Sequence, residues 1–133
     1  MATDLEQELK RTTALRGFRF GLHDFVAQLK GADALKKHND GTEANYLKES
    51  LIDRKTKELA IIVACVAVKD SPAHLRCHMH AAQKAGASPE EILELIELIG
   101  GWIGNVAKIN GLEAWRATFR PDLPTIDRVV ELQ

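Results

Sequence analysis

The chain has only two cysteines, Cys65 and Cys77. Two thiols cannot build a disulfide framework, and their spacing fits no standard zinc ligand pattern, so both are expected to be reduced. Charge of one sign is missing too. Eighteen lysines and arginines against 19 aspartates and glutamates leave a net charge of −1, which gives no basic field for a phosphate backbone and no acidic tail for a basic partner. Nucleic acid is therefore not expected as a partner. The longest apolar run, LAIIVACVAV at 59–68, is too short to span a bilayer, and the opening MATDLEQELKRTTALRG has no apolar core of a secretory signal. A soluble, cytoplasmic protein without membrane attachment is the expectation. Alternating apolar and polar residues are also absent, as are internal repeats and low-complexity tracts, so no strand and no second domain are predicted.

What the chain does have is helical spacing throughout. Its 133 residues, 45% hydrophobic and 28% charged, suit a single compact all-α domain over 1–133 with about six to seven helices. A first helix over TDLEQELKRTTALR is capped by Thr3 or Asp4 and stopped by Gly17. A second runs from about Leu22 to Lys37 and ends at the turn cluster HNDG, with loop or short helix from there to Ser50. Asp53 caps a long helix, Pro72 opens another that Gly86 closes, and Ser88-Pro89-Glu90-Glu91 forms a capping box. That helix is expected to end at Gly100-Gly101, after which helical spacing resumes up to Pro121. The tail reads as an arm with a terminal turn of helix.

Residues Leu59 to Val68 are apolar on every side, and such a helix must be covered all round. A chain this short has few helices to do so, which points to a neighbouring subunit, the alternative being a fully enclosed central helix.

The stretch SPAHLRCHMHAAQKAGASPEE carries three histidines and a cysteine within seven residues. At about 100° per residue, His74, Cys77 and His78 share a face with Ala81 and Ala85, while Arg76, His80 and Gln83 point away. Three chemistries fit these residues. His74 and His78, four apart, could reach one metal, but no HExxH glutamate lies between them and Glu58 is the one obvious third ligand, so no metal is expected. Cys77 could act as a single nucleophile beside His78, although the CxxC of disulfide chemistry is missing. Acid–base chemistry needs only a positioned imidazole and a carboxylate, and Glu58, at the head of the apolar helix, supplies one.

The order KELAIIVACVAV, then HMHAAQKAGASPEEILELI, then GGWIGNVAKINGLEAW resembles the carboxymuconolactone decarboxylase family, which includes the alkylhydroperoxidase D-like proteins. The resemblance covers roughly residues 45–117. It implies an all-α fold of the alkylhydroperoxidase D-like type, assembled as a homotrimer or homohexamer with a pocket near the subunit interface. Aligned on His78, the two cysteines of the peroxidase branch fall at Ser71 and His74, so the resemblance is to the members without CxxC. The implied activity is cofactor-free acid–base decarboxylation of a small lactone or related carboxylic acid. His78 would be the general acid or electrostatic stabiliser, Glu58 would relay protons and His74 would orient the substrate carboxylate. Trp102 and Ser71 would border the small-molecule substrate. The alternatives are a peroxidase activity through Cys77 and a non-catalytic oligomeric domain.

The apolar helix sets the first prediction. Light scattering at micromolar concentration should give a mass several times 14.7 kDa; a clean monomer would remove both the interface and the interfacial pocket.

Overall fold

The computed structural model describes residues 1–133, all of them helix, turn or coil. Six α-helices are present: α1 Asp4–Arg16, α2 Gly21–Thr42, α3 Arg54–Ala67, α4 Pro72–Lys84, α5 Pro89–Ile103 and α6 Asn105–Phe119. A π-helical turn, Glu43–Leu47, extends α2. The chain divides into two compact units, Met1–Lys57 and Glu58–Gln133.

The first unit is built on a polar core. The Thr3–Glu6 capping box starts α1, and Gly17, in the left-handed region at φ 79, ends it. α1 packs on α2 through Asn39, which is fully buried. Its side-chain oxygen accepts from Arg16 Nη1 at 2.7 Å and from Thr12 Oγ1 at 3.2 Å, while its Nδ2 donates to Glu8. This network explains a difference from the sequence reading. HNDG was expected to end a helix, yet α2 runs through it, because Asn39 serves as the central acceptor of a helix pair instead of turning the chain. The bend in α2 lies earlier, at Gly31, where φ is 81.

The second unit holds the apolar core: Ile62 and Val66 of α3, Leu75, Met79 and Ala82 of α4, Ile92 and Ile96 of α5, and Ala114 of α6. Asp53 Oδ1 accepts from Thr56 N–H at the head of α3, and Ser88 and Glu91 form the expected capping box on α5. α5 continues past Gly100-Gly101 to Ile103, and the break falls at Gly104, at φ 94. The tail forms no helical turn. It is pinned instead to α6, where Glu113 accepts from Thr125 Oγ1 and Ile126 N–H and Arg116 donates to Leu123 O.

α3 is not wrapped within one chain. Ile62 and Val66 are fully buried, but Ala60, Ala64, Ala67 and Val68 are exposed. The apolar character on every side thus exceeds what this chain covers.

Two helices of the second unit end in the same way. After α4, Ala87 N–H bonds Ala82 O and Gly86 N–H bonds Gln83 O, with Gly86 at φ 106. After α3, Asp70 N–H bonds Cys65 O and Lys69 N–H bonds Val66 O, with Lys69 at φ 55. Both are Schellman closures, which bring the residue after the left-handed position against the last turn. At α4 that pairing joins two buried alanines. At α3 it joins Asp70 to Cys65.

Gly111 marks close packing of α6 against α3 and α5. A Cβ there would lie 3.0 and 3.1 Å from the two methyls of Val66 and 3.3 Å from Ile96. Alanine gains about 1 kcal/mol of helix propensity over glycine, but overpacking costs about 1–3 kcal/mol and β-branched Val66 has little freedom to move away. Gly111→Ala should therefore lose about 1 kcal/mol in urea unfolding. A gain of about 1 kcal/mol would mean that α3 and α6 are less closely packed than described.

Candidate active site

The site is assembled from α3, the turn after it and the start of α4. Glu58 lies at the start of the second turn of α3, and its side chain is fully buried. The sequence alone slightly favours an exposed first-turn glutamate helped by the helix dipole. The structure turns Glu58 inward, where its Oε2 meets His78 Nδ1 at 2.9 Å. A buried carboxylate requires such a partner, since leaving it unpaired costs several kcal/mol.

His78 is itself 7% exposed, among Leu75, Met79 and Ala82 of its own helix. The buried stripe of α4 is rotated from the face that spacing of about 100° per residue predicts. It centres on Leu75, His78, Met79 and Ala82, so that His74 and Cys77 lie at its margins, half-buried. Arg76, His80 and Gln83 are exposed, as the spacing predicts.

At His78 Nε2 the chain of contacts continues. His74 Nε2 approaches it to 3.2 Å, with the rings edge to face and their centres 4.8 Å apart. His74 Nδ1 makes a short contact with Asp70 Oδ2. Asp70 is held on three sides: its amide by Cys65 O, its carbonyl by Asn110 Nδ2 at 2.9 Å, and its Oδ1 by Ser71 N–H at 2.8 Å. The Ser71 hydroxyl caps α4 by accepting from His74 N–H.

The four side chains Glu58, His78, His74 and Asp70 thus form one line. Three contacts need three hydrogens, one more than two neutral imidazoles carry. Two carboxylates and that extra proton leave the line with a net charge of −1, the tautomers being assigned by hydrogen-bond bookkeeping. Burial acts to raise Asp70, but the hydrogen bonds from His74 and from Ser71 N–H outweigh it and hold the carboxyl below its ordinary range.

The cysteines behave differently from reactive thiols. Burial, with the Asp70 carboxylate beside it, pushes Cys65 up to about 11, and burial also pushes Cys77 up. Trp102 is 87% exposed at the end of α5, so within one chain it encloses nothing. A concavity of about 610 Å³ lies in the first unit among Leu15, Asp40, Glu43, Leu47 and Arg54, and holds none of these groups.

Of the residues singled out in the sequence, the structure brings Glu58, His74 and His78 together; Ser71 caps α4, and Cys77 and Trp102 lie outside the line. Cys65, Asp70 and Asn110 were missed. The signal for two of them was present: Cys65 is two helical turns from Glu58 on the same stripe, and Asp70 is four residues before His74.

A small helical protein with a line of imidazoles and carboxylates running between two of its helices is the class that these features define. The sequence pattern of the carboxymuconolactone decarboxylase family matches residues 32–117. The chain belongs to that family, and the match begins in α2, earlier than the resemblance read from residue 45. Among curated proteins none matches the chain.

The raised thiols give the prediction for this site. At pH 7 a thiol at about 11 holds roughly 100-fold less thiolate than one near 9, so Cys65 should alkylate slowly and accelerate as pH rises toward 11. Mass spectrometry after iodoacetamide treatment over a pH series measures this, and rapid neutral-pH labelling of Cys65 would contradict the burial argument.

Proposed function

We propose that the chain is an acid–base enzyme of the decarboxylase type, acting on a small lactone or related carboxylic acid, with His78 as the proton donor. The observation that supports this most directly is the buried Glu58–His78 pair, whose outer edge meets His74. No organic cofactor is needed for such a reaction.

The two Nε2 atoms face each other and can share only one hydrogen at 3.2 Å. An anionic substrate oxygen entering between them removes that restriction. Both nitrogens can then carry hydrogen and donate to it, and the incoming negative charge is matched by one added proton. Asp70 holds His74, and Glu58 holds His78, each through Nδ1. Breaking the carbon–carboxylate bond releases CO₂ and leaves the electron pair as an enolate. His78 Nε2–H then protonates the carbon, and Glu58 supports the imidazolium before transfer. That transfer consumes the proton taken up with the substrate and returns the line to its resting three hydrogens. The thiols, both pushed upward, lend no support to a peroxidase reaction through Cys77.

Turnover of lactone acids, monitored by CO₂ release, is the assay. His78→Gln, whose amide can still donate to Glu58, should keep its helical content and lose about 10²-fold or more in rate. Cys77→Ala should keep most of the activity. If alkylating Cys77 abolishes turnover while His78→Gln stays active, the acid–base reading fails. If no lactone acid is turned over by the folded oligomer, the non-catalytic reading replaces it.

A further inference from the structure

We propose that Cys65, Asp70 and His74 form a binding site for one divalent ion of the zinc type, held by a thiolate, a carboxylate and an imidazole. The site goes beyond the acid–base reading and stands whether or not the chain decarboxylates anything. In the sequence the candidate ligands centre on His74 with His78 and Glu58; the fold gathers a different set of donors.

The Cys65 Sγ, an Asp70 carboxylate oxygen and a His74 ring nitrogen lie within 4.8 Å of one another. An ion bound at about 2.0–2.3 Å to each donor needs them within reach of one centre. His74 and Asp70 touch and must part to admit it, and with side chains 33% and 27% exposed they have room to turn. The same exposure gives the ion a path from solvent. Three protein ligands leave a fourth position open for water or a ligand oxygen.

Beneath the donors the backbone is fixed. The Schellman closure at Lys69 seats Asp70 against Cys65, Asn110 holds the Asp70 carbonyl, and the Ser71 cap fixes the first turn that carries His74.

Behind the donors stands the support that metal-binding imidazoles use. With Nδ1 on the ion, His74 Nε2–H donates to His78 Nε2, and His78 Nδ1–H donates to Glu58. One pair of tautomers satisfies every contact. The charge agrees as well: with the extra proton displaced, the Glu58 and Asp70 carboxylates and the Cys65 thiolate carry −3, and a divalent ion returns the assembly to the −1 of the line without it. A mixed sulfur, nitrogen and oxygen set suits zinc, and cobalt as its spectroscopic substitute, rather than magnesium or calcium, which take oxygen alone.

The full chain, reduced, treated with chelator and dialysed, would be titrated with cobalt(II) chloride. A sulfur-to-cobalt charge-transfer band should grow and saturate at one ion per chain, and one equivalent of zinc chloride should remove it. The band should be lost in Cys65→Ser and retained in Cys77→Ser. Glu58→Gln should keep the band but weaken binding by about 10- to 100-fold, the usual effect of removing a support behind a ligand. A second measurement needs no variant: zinc should protect Cys65, and not Cys77, from alkylation. Absence of a saturable band, or a band that survives in a helical Cys65→Ser protein, overturns the site. Neither outcome depends on lactone turnover.

Discussion

A carboxylate with no exposed surface, bonded to an imidazole at 2.9 Å, is the interaction on which the second unit depends. Burying Glu58 alone would cost several kcal/mol, and a pair cut in half costs about 3–5 kcal/mol. α3 and α4 can therefore meet in the register that puts residue 58 beside residue 78, and neighbouring registers strand the charge. Ile62 and Val66 come one and two turns after Glu58, and Leu75, Met79 and Ala82 surround His78. The apolar core supplies the driving force, and the polar pair decides which alignment receives it.

Helix ends do the rest of the positioning. The α4 closure uses a glycine at the left-handed position and buries two alanines, an arrangement that serves packing. The α3 closure puts Lys69 there, at φ 55, where a side chain costs about 1–2 kcal/mol. The next residue in the chain is Asp70, which reaches both Cys65 and His74. The same backbone motif thus serves the core at one helix end and the site at the other, and the difference lies in the residues it juxtaposes.

Much of the fold was legible because its signals are local. Caps at Thr3, Asp53 and Ser88 and the stop at Gly17 each depend on a few neighbouring atoms, and all lie where the spacing puts them. HNDG misled because Asn39 is used at long range, by Arg16 and Thr12 of another helix, and turn propensity says nothing about that. The site was legible in the same proportion. His74 and His78 emerge from periodicity, and the pairing of His78 with Glu58 accords with the family order of glutamate then histidine. For Glu58 the sequence leaned toward solvent, since a carboxylate read as first-turn is at home there; the helix starts at Arg54, which puts Glu58 a turn further in. Asp70 and Cys65 escaped notice because the closure that joins them is set by the φ of Lys69, and lysine is not a residue that announces a left-handed turn.

The line from Glu58 to Asp70 also separates two things that burial usually couples, the access of water and the access of protons. Glu58 has no surface, yet it is three hydrogen bonds from a carboxylate whose side chain is 27% exposed. A proton taken up at Asp70 or at the rim of His74 can be matched by one delivered at Glu58, each ring passing on a different hydrogen from the one it received. The hydrogen bonds thus run unbroken from the exposed edge of Asp70 to the deepest acid of the second unit, with no helix having to open.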